Sequence, residues 1–510
     1  MIREAGIPGI LFLMVSLSGL LLWGNLKPGH NWGDDFAAYI MQAKSITEFA
    51  PRAFIEANRF TVEHSSSPFG PIAYPWGFPL LLAPLYALFG LNPQALKAVG
   101  VISYLGFLVV LWFSFRKVHA PVWLLLLVSF FALNPTLIAF ANNILSDLPF
   151  LLVSTLCVAL IREAVVLDRY QFSRFADYAL IGAAVSAAFL IRTNGILLLA
   201  ALGLSQLIAS FQKRPICRYP SVSRGNFLIN TLGVPLVPYI VFACTVAITY
   251  WVLPVGGMSH LSYLSNISAE VVKSNLGSHL VEPSGFLSGV PGYQLVYWVS
   301  MPLAIAGAMR RCRSDYTAIV YVVLTFLLYI IWPIQQGLRF FFPILPFYVS
   351  FTFSGLEAGC NGFFVKSLFW KTLCYGPILL ILFCFGFTSS RNCNDTEVTY
   401  GPFSSSSQEM FSFINDETNS NSTIIFYKPR VMRLMTGRKS VMITKVNQLS
   451  IGDYLCFSRR KDADDQLSDG EVENLVALKV ASGVYANDDF KVYRLDKAAL
   501  ALKTVQESLR

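Results

Sequence analysis

Charge is what this chain has least of. Only 14% of its 510 residues are Asp, Glu, Lys or Arg, where a soluble globular protein carries roughly 25%. Together with 55% hydrophobic and 14% aromatic residues, that scarcity excludes an ordinary soluble domain and points to a polytopic membrane protein. Apolar stretches of about 17–25 residues recur, each long enough to cross a hydrocarbon core of roughly 30 Å. The nine cysteines are scattered, with no CxxC pair and no His/Cys spacing that would hold a metal. No Ser-His-Asp order, P-loop or HExxH is present. The first apolar segment, Ile7 to Trp23, lacks the small-residue cleavage site of a signal peptide and reads as a retained helix. No internal repeat is visible.

The net charge of +9 is unevenly spread. From Ser390 onward the chain carries 16 basic and 16 acidic residues, so the whole excess lies in the apolar portion. Basic residues in short loops are a topology signal, and nucleic-acid binding is not needed to explain them. The apolar pattern predicts eleven membrane helices, at about 7–23, 95–115, 120–139, 148–166, 176–192, 194–212, 227–253, 292–309, 316–334, 339–357 and 367–388. Arg116-Lys117, Arg162 to Arg174, Lys213 to Arg224, Arg310-Arg311-Arg313 and Lys366 then fall on the same side as Arg3. The positive-inside rule makes that side cytoplasmic and the tail extracytoplasmic. Phe78 to Phe89, with Pro79 and Pro84, is too short to span and reads as an interfacial or re-entrant helix. Outer loops then run over about 24–92 and 254–290.

The chain divides into a membrane domain, 1–389, and a small α/β domain, 390–510. In the latter, Ser422 to Tyr427 and Ser440 to Ile443 read as strands, and Pro429 opens a helix that runs to Gly437. Asn487-Asp488-Asp489 turns a hairpin between Gly483–Tyr485 and Phe490–Leu495. Cys393 and Cys456 are the two cysteines of this tail. A disulfide between them is open, as an extracytoplasmic site allows one.

Candidate chemistry clusters on the outer side. Asp34 and Asp35 begin a helix to Phe49 with an apolar stripe of Phe36, Tyr39, Ile40, Ala43 and Ile46, and with Lys44 and Glu48 paired at i,i+4 on the polar side. Such a helix is expected to lie along the outer membrane surface. The acids fit a helix cap and equally a general base. Asp147, in Ser146-Asp147-Leu148-Pro149, carries the same two readings. Arg192 and Arg339 lie against the topology bias, flanked by apolar spans where a cation is costly. A phosphate is a natural partner for either, as is a lipid headgroup reached by snorkelling. Lys428 and Arg430 open the tail helix, where a helix amino terminus suits an anion and a solvated face is the plain alternative. The stretch Glu63 to Gly77 mixes polar and aromatic groups. It offers His64, Tyr74 and Trp76, with Gln336 beside Arg339, for a sugar or acceptor, while an interfacial aromatic belt explains the rings as well. Asn-x-Ser/Thr triplets stand at Asn266, Asn394 and Asn421.

In their order and common side, these segments resemble the GT-C glycosyltransferases that use polyprenyl-phosphate sugars, in the branch of aminoarabinose transferases and protein O-mannosyltransferases. The matching segments are Asp34-Asp35 before Tyr39, Tyr74-Pro75-Trp76-Gly77-Phe78-Pro79-Leu80, Ser146-Asp147-Leu148-Pro149 and Arg339-Phe340-Phe341-Phe342-Pro343-Ile344-Leu345-Pro346. Tyr427-Lys428-Pro429-Arg430 with Thr436-Gly437-Arg438 extends the match into the tail. Asp35 stands where the family often has Glu. The resemblance implies a membrane all-α GT-C fold with amphipathic juxtamembrane helices in a bacterial inner membrane. The donor would be a polyprenyl-phosphate sugar and the acceptor a glycan, lipid or protein hydroxyl, with no cofactor and with the metal requirement open. It further implies Arg192, Arg339, Lys428 and Arg430 around the donor phosphate, Asp34 as base, Asp35 and Asp147 in support, and inversion at the anomeric carbon. A lipid-linked saccharide flippase or an O-antigen ligase or polymerase is the alternative.

Overall fold

A computed structural model describes residues 7–67, 69–212, 233–257, 267–361, 368–393, 401–460 and 463–500. Arg3, the Lys213–Arg224 stretch, Lys366, Asn266 and Asn394 lie outside the described residues. The apolar part opens with α1 (Ile7–Asn25), then α2 (Asp35–Thr47), α3 (Pro51–Glu63) and α4 (Gly77–Phe89). It continues with α5 (Pro93–Phe115), α6 (Pro121–Ala132), α7 (Pro135–Phe140), α8 (Asp147–Ile161), α9 (Arg174–Ile191), α10 (Ile196–Phe211) and α11 (Val234–Val252). It closes with α12 (Ala269–Val281), α13 (Tyr293–Arg311), α14 (Tyr316–Ile331), α15 (Leu345–Asn361) and α16 (Leu368–Asn392). Among the described residues six helices are long and apolar enough to cross a membrane, and Gly9–Asn25, Gly77–Phe89, Pro121–Ala132 and Tyr316–Ile331 are shorter apolar helices. Phe12, Trp251, Leu295 and Phe383 stand 70–85% exposed on the outside of the bundle, the arrangement expected where hydrocarbon replaces water.

Proline explains where the predicted spans depart from the observed ones. The stretch expected to run unbroken over 120–139 is two helices. Pro135 has no N–H to continue α6, and Asn134 restarts the chain by accepting from the Leu137 amide at 3.1 Å. The span expected from 339 begins instead as a tight 3₁₀ segment, Gly337–Ile344, with Pro343 inside it. Small residues set the closest crossing. A side chain at Gly307 would place its Cβ 1.9 Å from the Phe351 carbonyl oxygen, and one at Gly355 would lie 2.3 Å from that of Leu303. The α13–α15 contact therefore depends on backbone-to-backbone approach.

The tail comprises α17 (Ser405–Glu417), β1 (Thr423–Ile425), α18 (Pro429–Thr436), β2 (Lys439–Val441), β3 (Tyr454–Ser458), α19 (Asp469–Ala477), β4 (Ala481–Ala486) and β5 (Phe490–Leu495). The strand order is β2-β1-β3-β5-β4. β1 runs parallel to β2 and β3, whereas β3–β5 and the β4–β5 hairpin are antiparallel. Gly437, at φ +68°, ends α18 in the left-handed region that glycine tolerates. Cys393 and Cys456 do not pair. Cys456 is 1% exposed inside the sheet, and the Cys393 sulfur accepts from the Asn25 side-chain amide at 3.0 Å.

The tail is seated on one end of the bundle, and its contact corrects the reading of α2. The polar face that should have met water is covered: Phe36 to Ala43 are all buried, and so is Ser45. Phe36, Tyr39, Ile40, Phe78 and Leu82 share one apolar core with Ile414, Phe426, Val431, Met432 and Phe490 of the tail. Hydrogen bonds pin the seam, with the Ser66 amide donating to the Met442 carbonyl at 2.8 Å and the Thr444 amide to the Ser66 hydroxyl at 2.9 Å. Helix α2 is thus an interior element clamped between α3, α4 and α18, not a float on the membrane surface. The Lys44–Glu48 pair does form, at 3.7 Å on its remaining open side.

Candidate active site

The two acids that begin α2 point to different partners. Asp34 caps no hydrogen bond of its own helix. Its Oδ1 accepts the backbone amide of Arg430 at 3.1 Å, so it caps α18 from 396 residues away. Its Oδ2 lies 3.9 Å from Arg430 Nε and, among the described residues, accepts no hydrogen bond. Burial pushes the Asp34 carboxyl up from 3.8 to about 6, against the pull of the Arg430 and Lys428 cations. Asp35 faces the bundle. The Tyr74 hydroxyl donates to its Oδ1 at 2.6 Å, and Arg339 lies 3.8 Å from its Oδ2. Burial, with Asp35 beside it, keeps the Tyr74 phenol well above its usual value, so the hydroxyl stays protonated and donating.

Asp147 is the hub of the second half of the site. It is 2% exposed at the start of α8. Arg192, just past α9, donates to its Oδ1 at 2.5 Å. Arg339, in the 3₁₀ segment, donates to its Oδ1 at 3.2 Å and its Oδ2 at 2.9 Å. Neither headgroup snorkelling nor a local cap describes this geometry, since both guanidiniums turn inward onto one carboxylate. The neighbouring Ser146 hydroxyl lies 3.1 Å from that of Tyr39, and Asn194 donates to the Tyr329 hydroxyl at 2.6 Å. Tyr329 in turn stacks on Phe340, with ring centroids 4.0 Å apart. Three acids (Asp34, Asp35, Asp147) and three arginines (Arg192, Arg339, Arg430) are therefore brought together from five separate stretches of chain. Their formal charges cancel, and Arg339 links Asp35 to Asp147.

The other predicted residues divide. Arg430 is fully buried, with its guanidinium donating to the Pro71 carbonyl at 2.6 Å, 4.8 Å from the Phe69 ring and 5.5 Å from that of Tyr74. Lys428 turns away to Asp465 at 3.0 Å. Trp76 is 1% exposed, donates its indole N–H to the Pro254 carbonyl at 3.1 Å and leaves no ring face free for a sugar. His64 folds back on its own helix, with Nδ1 3.0 Å from the Phe60 carbonyl. Gln336 is exposed just before the 3₁₀ segment. The reading of α2 as an apolar stripe hid the hydroxyl of Tyr39, and that of Ser146, just before α8, was not singled out. Their signal was a polar atom at a position that packing alone would give to Phe or Ala.

The apolar bundle, the helices lodged at its end and the α/β domain seated on the acid pair make the GT-C fold. The structure is similar to ArnT from Cupriavidus metallidurans bound to undecaprenyl phosphate, with a TM-score of 0.58 and 14% identity over 96% of this chain and 99% of that one. It is similar to the oligosaccharyltransferase AglB from Archaeoglobus fulgidus in complex with an inhibitory peptide and a dolichol-phosphate, with a TM-score of 0.56 and 11% identity over 98% and 75% of the two chains. The mycobacterial arabinofuranosyltransferase AftD matches with a TM-score of 0.54 and 12% identity over 96% of this chain and 40% of its own. No protein-family model matches the sequence, and no curated protein matches it.

Proposed function

We propose that the protein is a membrane glycosyltransferase that moves a sugar from a polyprenyl-phosphate donor, of which undecaprenyl phosphate is the model, to an acceptor hydroxyl at the outer face of a bacterial inner membrane. The observation that carries this reading is the convergence of Arg192 and Arg339 on Asp147, with Asp35 loosely held 3.8 Å from Arg339. Asp147 binds Arg339 through two bonds and Asp35 binds it through none shorter than 3.8 Å. An arriving phosphate therefore competes with Asp35, not with Asp147, for the outer side of that guanidinium. Both arginines are preorganised, so they stabilise the charge that develops on the departing phosphate without reorganising.

In this scheme the acceptor oxygen attacks the anomeric carbon and the carbon–oxygen bond to the phosphate breaks. The acceptor proton passes to Asp34, and polyprenyl phosphate departs. A single displacement inverts the anomeric centre. Asp34 suits the base because its Oδ2 is unoccupied among the described residues and its carboxyl is raised to about 6, near the operating pH. Asp35, with Oδ1 held by Tyr74 and Oδ2 only loosely paired with Arg339, positions Tyr74. The basic loops assign the amino terminus to the cytoplasm and the tail, from about residue 390, to the outside, with eleven crossings. The sugar is a hexose or pentose, and a glycan, lipid or protein serves as acceptor.

Binding of the leaving product tests the phosphate site without any transfer. Undecaprenyl phosphate is titrated into the full-length protein in nanodiscs. Arg339→Gln should weaken binding at least tenfold, which is 1.4 kcal/mol. Equal affinity for wild type and variant would remove the phosphate from this site.

A further inference from the structure

A cavity of about 300 Å³ lies on the far flank of α2 from Asp35, between α2, α3, α18 and the turn from α4 to α5. Lys44, Ser45, Glu48, Tyr86 and Arg433 are among its lining residues. Arg433 is one turn beyond Arg430 on α18, and Asp34, the counter-ion of Arg430, acts on it only at longer range. Among the described residues its guanidinium reaches only the neutral Asn58 Oδ1, at 3.3 Å, and Thr61 Oγ1, at 3.5 Å. No carboxylate among the described residues lies within 4 Å of it. Burial and the neighbouring Arg430 cation hold Arg433 down to about 10, against the longer-range pull of Asp34. Lys44, about half exposed, adds a second cation, met only by Glu48 at 3.7 Å. A half-buried guanidinium without a directly paired anion is costly to keep, and its planar fork matches a phosphate or carboxylate.

The rim carries an independent signal. Phe49 follows the end of α2, between the lining residues Glu48 and Ala50. It adopts φ +54° at the position that glycine usually takes after a helix. For a bulky side chain such a conformation is an outlier that is costly to hold. The strain secures no packing, since Phe49 is 93% exposed. An exposed phenyl adjacent in sequence to a cavity lined by two cations and a serine hydroxyl is a combination that suits a charged sugar, with its ring against the phenyl and its anion against the cations.

We propose that this cavity binds an anionic saccharide, with its phosphate or carboxylate on Arg433 and Lys44 and its ring against Phe49. If the transferase reading above holds, the ligand is a charged residue of the acceptor, held away from the reacting hydroxyl. The test measures equilibrium binding of radiolabelled glucose 6-phosphate to the full-length protein in phosphatidylcholine nanodiscs, with glucose, inorganic phosphate and phosphatidylglycerol as competitors. Saturable binding is expected to weaken at least tenfold in Arg433→Gln and in Lys44→Gln, and severalfold in Phe49→Ala, with no competition from glucose. Lys44 is half exposed, so its variant keeps the test valid if Arg433→Gln misfolds. Absence of binding, or binding indifferent to Lys44→Gln, overturns the proposal. Inorganic phosphate competing as well as the sugar phosphate, with Phe49→Ala silent, overturns the saccharide assignment. Displacement by phosphatidylglycerol assigns the cations to a lipid headgroup and overturns it likewise. The readout is binding, so a wild type inactive in sugar transfer would end the transferase reading and leave this one standing.

Discussion

Replacing Asp34 by asparagine removes a charge while keeping an oxygen that can accept the Arg430 amide. The fold holds this carboxyl at about 6 instead of 3.8 because it is buried, so the ionised form is disfavoured in the folded state. The sign follows from linkage. The wild type is most stable below the free carboxyl value and loses that stability as the pH rises through about 6. A shift of this size at 1.36 kcal/mol per unit makes Asp34→Asn more stable than wild type by about 3 kcal/mol at pH 8, and equal to it near pH 3.5. For a chain of this length the gain is a rise of roughly 3 °C in melting temperature. The assay is thermal unfolding of purified protein in detergent across pH 4 to 8, alongside sugar transfer. A variant that is more stable and inactive is the signature of a charge kept for chemistry. A variant that melts lower at pH 8, or whose difference from wild type does not change with pH, would refute the burial argument.

Asp147 should behave oppositely. Asp147→Asn leaves Arg192 and Arg339 buried against each other without their shared anion, at a cost of about 3–5 kcal/mol, seen as loss of the folded fraction on size-exclusion chromatography. Asp35→Asn, at a partly exposed carboxylate with a loose ion pair, should cost no more than about 1 kcal/mol in the same melt. Tyr74→Phe removes the donor to Asp35 and should lower transfer about tenfold, or 1.4 kcal/mol in the barrier, with an unchanged melting temperature.

How much of this was legible in the sequence depends on how each group announces itself. Asp34, Asp35, Asp147, Arg192 and Arg339 are charges in an apolar chain, and the loop charges put them at one end of the bundle before any coordinates. Their pairing was not legible, because Asp147 meets partners 45 and 192 residues away. The burial of α2 on its polar side was hidden for the same reason: its cover, α18, is nearly 400 residues downstream. In the tail, the predicted strands at Ser422, Ser440 and the Asn487 hairpin match β1, β2 and β4–β5. The central strand β3, Tyr454–Ser458, was missed. It is buried almost throughout, so it lacks the alternation that marks a half-exposed strand. Helix α19 was readable in principle from Ser468 and Glu471, which close a capping box. The exposed, strained Phe49 has no sequence signature at all.

The most direct test of the central claim is transfer of a labelled sugar from a synthetic undecaprenyl-phosphate donor in membranes holding the full-length protein. The account predicts a glycosylated product with inverted anomeric configuration. Its rate should climb through about pH 6 and fall at least a hundredfold in Asp34→Asn, the scale of a lost general base. Full activity in Asp34→Asn, or a product of retained configuration, would contradict it.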